Sequence, residues 1–117
     1  MRVLICGDRN WTDREKIKRR IIQLCLPPGS TIIHGGARGA DVIAGEIGKS
    51  MGFEVIEFRA DWEKYGKAAG PIRNKQMLDK GKPDLVIGFH SDIFKSKGTK
   101  NMLIQSQKRK ISTQLVE

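Results

Sequence analysis

The chain has 117 residues, enough for one domain with a real core, and its 38% hydrophobic content is compatible with a compact α/β domain. No apolar run approaches the length of a membrane span and no charged-then-apolar leader opens the chain, so the expectation is a cytoplasmic protein with no membrane partner. The 22 basic residues against 13 acidic ones leave a net charge of +9, and this excess favours an anionic partner, either a nucleotide or a nucleic acid.

Cys6 and Cys25 lack metal-ligand spacing and are too few for a disulfide framework, so neither a metal nor a cofactor is expected. Val3-Leu4-Ile5-Cys6 is a continuous apolar run of the kind buried on both faces of a parallel sheet. Gly7-Asp8-Arg9-Asn10-Trp11 breaks it. Thr12 and Glu15 have capping-box spacing, and Ile17, Ile21, Ile22 and Leu24 lie along one helical face. Pro27-Pro28-Gly29 turns the chain into a second strand, Thr31 to His34.

That strand runs straight into Gly35-Gly36-Ala37-Arg38-Gly39-Ala40-Asp41, after which Ile43, Ile47 and Met51 have helical spacing. Strand, tight glycine loop and helix together point backbone N–H groups at a phosphate. Arg38 adds a fixed fork of donors. Asp41 can cap the helix or accept from ribose hydroxyls. The loop matches neither GxGxxG nor GxxxxGK[ST], and a tight turn with a solvated arginine is the plain alternative.

Phe53 to Phe58 alternates in part and reads as a third strand near an edge. Ala60 to Gly70 is read as irregular, with Asp61, Trp62, Lys64, Tyr65 and Lys67 in it. Gly70-Pro71 opens a helix that Gly81 closes. Asp84 to Phe89 is a fourth strand, and a polar loop from His90 to Gly98 leads to a helix from about Thr99. Ile111 to Val116 forms a fifth strand. Alternation over short connections predicts a mainly parallel sheet in the order 3-2-1-4-5, helices on both faces, with the polar loops converging at the strands' carboxyl ends.

Four of those segments stand together: Cys6-Gly7-Asp8-Arg9, the GGARGAD loop, Gly66-Lys67-Ala68-Ala69-Gly70-Pro71-Ile72-Arg73-Asn74, and Ser96-Lys97-Gly98-Thr99-Lys100-Asn101. In this order and spacing they closely resemble the YspA/cpYpsA-related branch of the SLOG superfamily, over essentially the whole chain, residues 1 to 117. The resemblance implies a single Rossmann-like domain and a nucleotide-derived ligand, of ADP-ribose or nucleoside monophosphate type. It also implies phosphate or sugar contact by Gly35, Gly36, Ala37, Arg38 and Gly39, and an acidic residue, Asp41, opening the next helix. Ser96, Gly98 and Thr99 match a second phosphate-binding turn, and Arg73 and Asn74 match the branch's own signature. In the related LOG phosphoribohydrolases, glutamate follows that second turn. Here Lys100, Asn101 and Met102 follow, with no carboxylate.

The residues themselves extend the candidate site. Arg73 sits just inside a helix start, where a cation is electrostatically unfavourable, and Arg9 is better explained by an anion than by packing. Lys97 and Lys100 can add charge-assisted hydrogen bonds, as can Gly7 through its backbone. Trp62 either stacks on a base or covers the sheet edge; Tyr65 is read as loop packing, Phe89 as core, and His34 as a hydrogen-bonded structural histidine. Cleavage of an N-glycosidic bond is an alternative that would need a carboxylate, with Asp41 ahead of Asp8 and Asp61. Single-stranded nucleic-acid binding is another, resting on charge. Ala40, Ala44, Gly45 and Gly48 are read as small residues partly off the buried stripe, which suggests a homodimer through that helix.

Overall fold

The computed structural model describes residues 1–117. Strands β1 (Arg2–Gly7), β2 (Thr31–His34), β3 (Glu54–Glu57), β4 (Leu85–Phe89) and β5 (Ser112–Val116) alternate with helices α1 (Arg14–Gln23), α2 (Ala40–Ser50), α3 (Trp62–Tyr65), α4 (Ala69–Gly81) and α5 (Gly98–Lys108). The strands form one sheet in the order β3-β2-β1-β4-β5, every pair parallel. This is the Rossmann-like order expected from the sequence.

The β-branched runs explain the centre of the sheet. Val3, Ile5, Ile32 and Ile87 face α1 and α2, where they pack with Ile17, Ile21, Ala44 and Ile47. Leu4, Cys6, Ile33 and Val86 face α4 and α5 and meet Met77, Leu78 and Met102. Residues alternate across the pleat, so a strand apolar at every position serves two cores at once. β3 and β5, at the edges, are only partly buried. No helix is long and apolar enough to cross a membrane.

Several local expectations are corrected. The N-cap of α1 is Asp13, whose carboxylate accepts from the Lys16 N–H at 3.1 Å, and Thr12 lies outside the helix. Both residues are competent caps, and the helix starts one residue later than the Thr12/Glu15 spacing implies. Ile22 points away from the stripe made by Ile17 and Ile21 and is 52% exposed. The stretch before α4 is ordered as the short helix α3 and a 3-10 turn, Gly66–Ala68. The chain reverses after α4 at Lys82, with φ of 48°, so Gly81 is the last helical residue and packs its bare Cα against Ile33.

The small residues of α2 are used inside the chain. A Cβ on Gly45 would lie 2.7 Å from His34 Nε2, and one on Gly48 would lie 3.0 Å from Ile32. Ala40 and Ala44 are wholly buried. They let α2 lie close on β2 and β3, so the helix offers no free small-residue face for a second subunit.

The cap correction is testable. Asp13→Ala should cost about 1 kcal/mol in urea denaturation, while Thr12→Ala should stay within about 0.5 kcal/mol of wild type. The reverse ranking would restore Thr12 as the cap.

Candidate functional site

With all strands parallel, their carboxyl ends share one edge, and the loops after β1, β2, β3 and β4 all open there. Gly7 ends β1 in a space too small for a side chain. A Cβ there would lie 2.7 Å from the Ala40 Cβ and closer still to the Phe89 carbonyl oxygen. This bareness lets the start of α2 close on the end of β1, where the Ala40 N–H donates to the Asp8 carbonyl at 3.2 Å. Gly39, the N-cap of α2, has φ of 83°, and a Cβ on it would meet the Arg9 carbonyl carbon at 2.5 Å. The glycine loop therefore lies directly against the loop after β1.

Asp41 turns inward. Its Oδ2 accepts from the Gly35 N–H at 2.9 Å, which pins the first glycine of the loop to the first turn of α2. The helix has no side-chain cap, so of the sequence readings for Asp41 the cap is not the one realised. Arg73 approaches from α4. Its Nη1 donates to the Gly35 carbonyl at 2.6 Å and its Nε to Asn74 Oδ1 at 3.1 Å. Asn74 Nδ2 in turn donates to the Gly98 carbonyl at 3.2 Å and to Asn101 Oδ1 at 3.1 Å. One run of hydrogen bonds thus crosses the edge from the β2 loop, over α4, to the start of α5.

This network accounts for the position of Arg73 without a ligand. Its guanidinium answers the Gly35 carbonyl and the nearby Asp41 carboxylate, and Asn74 holds the second loop in fixed register with the first.

Burial dominates the electrostatics. Desolvation pushes the Asp41 carboxyl up to about 6, opposed by the Gly35 N–H, the Arg73 charge and the N–H groups of Ala37 and Gly7. Burial, then the neighbouring Asp41 charge, pushes the Cys6 thiol far up, so it stays protonated and is no nucleophile. Burial likewise lowers the His34 imidazole, which accepts from the Gly36 N–H through Nδ1 at 3.0 Å. His34 is thus the structural histidine expected.

The remaining candidates fall into two groups. Arg9, Arg38, Lys97 and Lys100 are exposed around the edge. The N–H groups of Arg38, Gly39 and Gly98 have no acceptor within the protein. Ser96 is half-buried, and its Oγ accepts from the Thr99 and Lys100 N–H groups at 3.0 and 3.3 Å. It therefore caps α5 itself, and Thr99 is buried beneath. Phe89 is core, edge-on to Trp11 with ring centroids 5.6 Å apart. Trp62 does not cover the sheet: it is 59% exposed on α3, beside Gly70.

Sequence reasoning misses Arg59 and Gln76. With Asp61, Lys64, Tyr65 and Arg73 they line a cleft of about 240 Å³ between α3 and α4. The available signal is the spacing of Ala69, Ile72, Arg73 and Gln76, one face of a helix.

Comparison with known proteins places this geometry. The model of the YspA, cpYpsA-related SLOG family matches residues 1–65, which include β1, the glycine loop and Asp41. The chain belongs to this SLOG family. It is also 40% identical over 114 residues to Gene 61 protein of Mycobacterium phage D29, a match covering 92% of this chain and 89% of that protein. The family model stops before Arg73, Asn74 and Ser96, whereas the phage relative is similar along nearly the whole SLOG chain. Membership is consistent with a nucleotide-related ligand.

Proposed function

We propose that this SLOG protein binds a nucleotide or nucleotide-derived ligand, of ADP-ribose or nucleoside monophosphate type, at the carboxyl edge of the sheet. The observation that carries the reading is the set of open N–H groups on Arg38, Gly39 and Gly98. They lie at two helix starts held in register by Arg73 and Asn74. Donors so fixed suit phosphate oxygens, and the exposed Arg38, Lys97 and Lys100 supply charge around them.

The geometry weighs against Asp41, the first candidate, as the carboxylate for cleaving an N-glycosidic bond. Such cleavage needs a carboxylate open to the sugar. Asp41 is 4% exposed and bonded to the loop, Asp8 accepts from the Asn10 N–H, and Asp61 caps α3.

Thermal shift against a nucleotide panel tests the reading. A ligand at a hundred times its Kd adds about 2.7 kcal/mol, so AMP or ADP-ribose should raise the melting temperature by several degrees. Arg38→Ala, exposed and remote from the core, should reduce the shift. If no phosphorylated nucleoside shifts wild type more than this variant, the reading is wrong.

A further inference from the structure

We propose that the cleft between α3 and α4 is an anion subsite that takes the distal phosphate of a ligand whose nucleotide half lies on the glycine loop. The proposal deepens the nucleotide reading and rests on it for the ligand's other half. The cleft's own chemistry stands separately.

At about 240 Å³ the cleft is smaller than the ~300 Å³ at which whole drug-sized ligands begin to fit, so it suits one group of a larger molecule. Arg59, Lys64 and Arg73 line it against a single carboxylate, Asp61. That carboxylate is already engaged, accepting from the Lys64 N–H at 3.0 Å. The Lys64 ammonium lies 5.1 Å from the centre of the Tyr65 ring, which holds it beside the cleft. Arg59 is paired to Glu57 at 3.0 Å, but its side chain is 80% exposed, and so open a pair yields readily to a stronger anion.

Arg73 joins this cleft to the glycine loop. Its Nε and Nη1 are bonded to Asn74 and Gly35, and Nη2 remains for a ligand. Arg73 therefore bonds the loop at Gly35 and is also one of the residues lining the cleft. A ligand on the glycine loop would meet the cleft at Arg73, the residue common to both. The excess of cations over apolar surface selects a phosphate there rather than a base.

Paired titrations of AMP and ADP, which differ by one phosphate, test the proposal by calorimetry. Wild type should bind ADP about tenfold more tightly than AMP, equivalent to about 1.4 kcal/mol. The double variant Lys64→Ala, Gln76→Ala should bring the two affinities together with AMP unchanged. Equal affinities in wild type, or a ratio that survives the double variant, overturn the subsite. An equal loss of AMP and ADP would place the base or first phosphate in the cleft, and also overturns it. If neither nucleotide binds, the nucleotide reading fails, and inorganic pyrophosphate decides the cleft alone by amide NMR. Shifts at Lys64, Tyr65 and Gln76 uphold the anion subsite; unmoved resonances there end it. A trinucleotide that competes with ADP would assign the phosphate to a nucleic-acid strand, while competition by ADP-ribose alone assigns it to a small molecule.

Discussion

Gly7→Ala will destabilise the protein by about 3 kcal/mol or more, the upper end of the cost of forcing extra atoms into a packed site. The added methyl would press on the Phe89 carbonyl and lie 2.7 Å from the Ala40 Cβ. Neither neighbour can give way cheaply. The Phe89 carbonyl accepts from the Asp8 N–H at 2.8 Å, and Ala40 is fixed by its own bond to Asp8 and by complete burial. The substitution pushes β4 and α2 away from β1 at the point where the ligand loops meet. A control separates this clash from backbone strain. Gly52 has φ of 84° but nothing within 4 Å of a Cβ, so Gly52→Ala should cost only about 1–2 kcal/mol. Urea denaturation compares the two, and equal losses would show that the space beside Gly7 yields.

The second large effect is a pH dependence carried by Asp41. Its carboxyl is raised in the folded state from an ordinary 3.8 to about 6. The folded protein therefore holds this proton more tightly than the unfolded chain. Its contribution to stability is fully present below pH 3.8 and is lost as pH rises through about 6. A shift of about two units corresponds to roughly 3 kcal/mol between those limits. Asp41→Asn removes the titration but keeps the shape. The stability of wild type relative to this variant should therefore grow as pH falls from 7 to 4. His34, lowered by burial, works in the opposite direction, losing its contribution as pH falls, as does Asp79, lowered by its bonds to Arg109 and Lys75. Both are common to the two proteins and cancel in the difference. A difference that stays flat between pH 7 and 4 would mean that Asp41 is not held in the buried environment described.

The sheet was legible in the sequence because its signals are local. An unbroken apolar run such as Val3 to Cys6 has few alternatives to a doubly buried strand, and alternation with helices over short connections leaves few topologies. The glycine loop was legible for the same reason, since Gly35 to Asp41 sit within seven residues. What escaped is what depends on distant partners. Asp41 could have capped α2. It turns inward to accept from the Gly35 N–H, and Arg73, far along the chain, adds a cation beside it. Gly45 and Gly48 look free on a helical wheel, and only the His34 ring and the Ile32 side chain beneath them show where their space goes. The cleft was hidden because α3 is a single turn with no buried residue, too short and too polar to show a period.

The central position of β1 has a consequence for how the molecule is made. Synthesis proceeds from the amino-terminal side, and when residue 58 has been made, α4, β4, α5 and β5 have not. Strands β1 to β3 can pair and bury most of the core under α1 and α2, short of Leu85, Ile87 and Phe89. Leu4, Cys6 and Ile33 on the opposite face then have no cover, because Met77, Leu78 and Met102 do not yet exist. One side of β1 also waits with its hydrogen-bonding edge open, since Val3 must pair with Leu85. The nascent first half therefore carries a bare apolar surface and an unpaired strand edge together, the two features that promote wrong association during synthesis. That exposure ends only when β4 enters beside β1 and α4 and α5 cover the opposite face, and the same closure brings the Gly98 turn to the edge where the ligand loops meet.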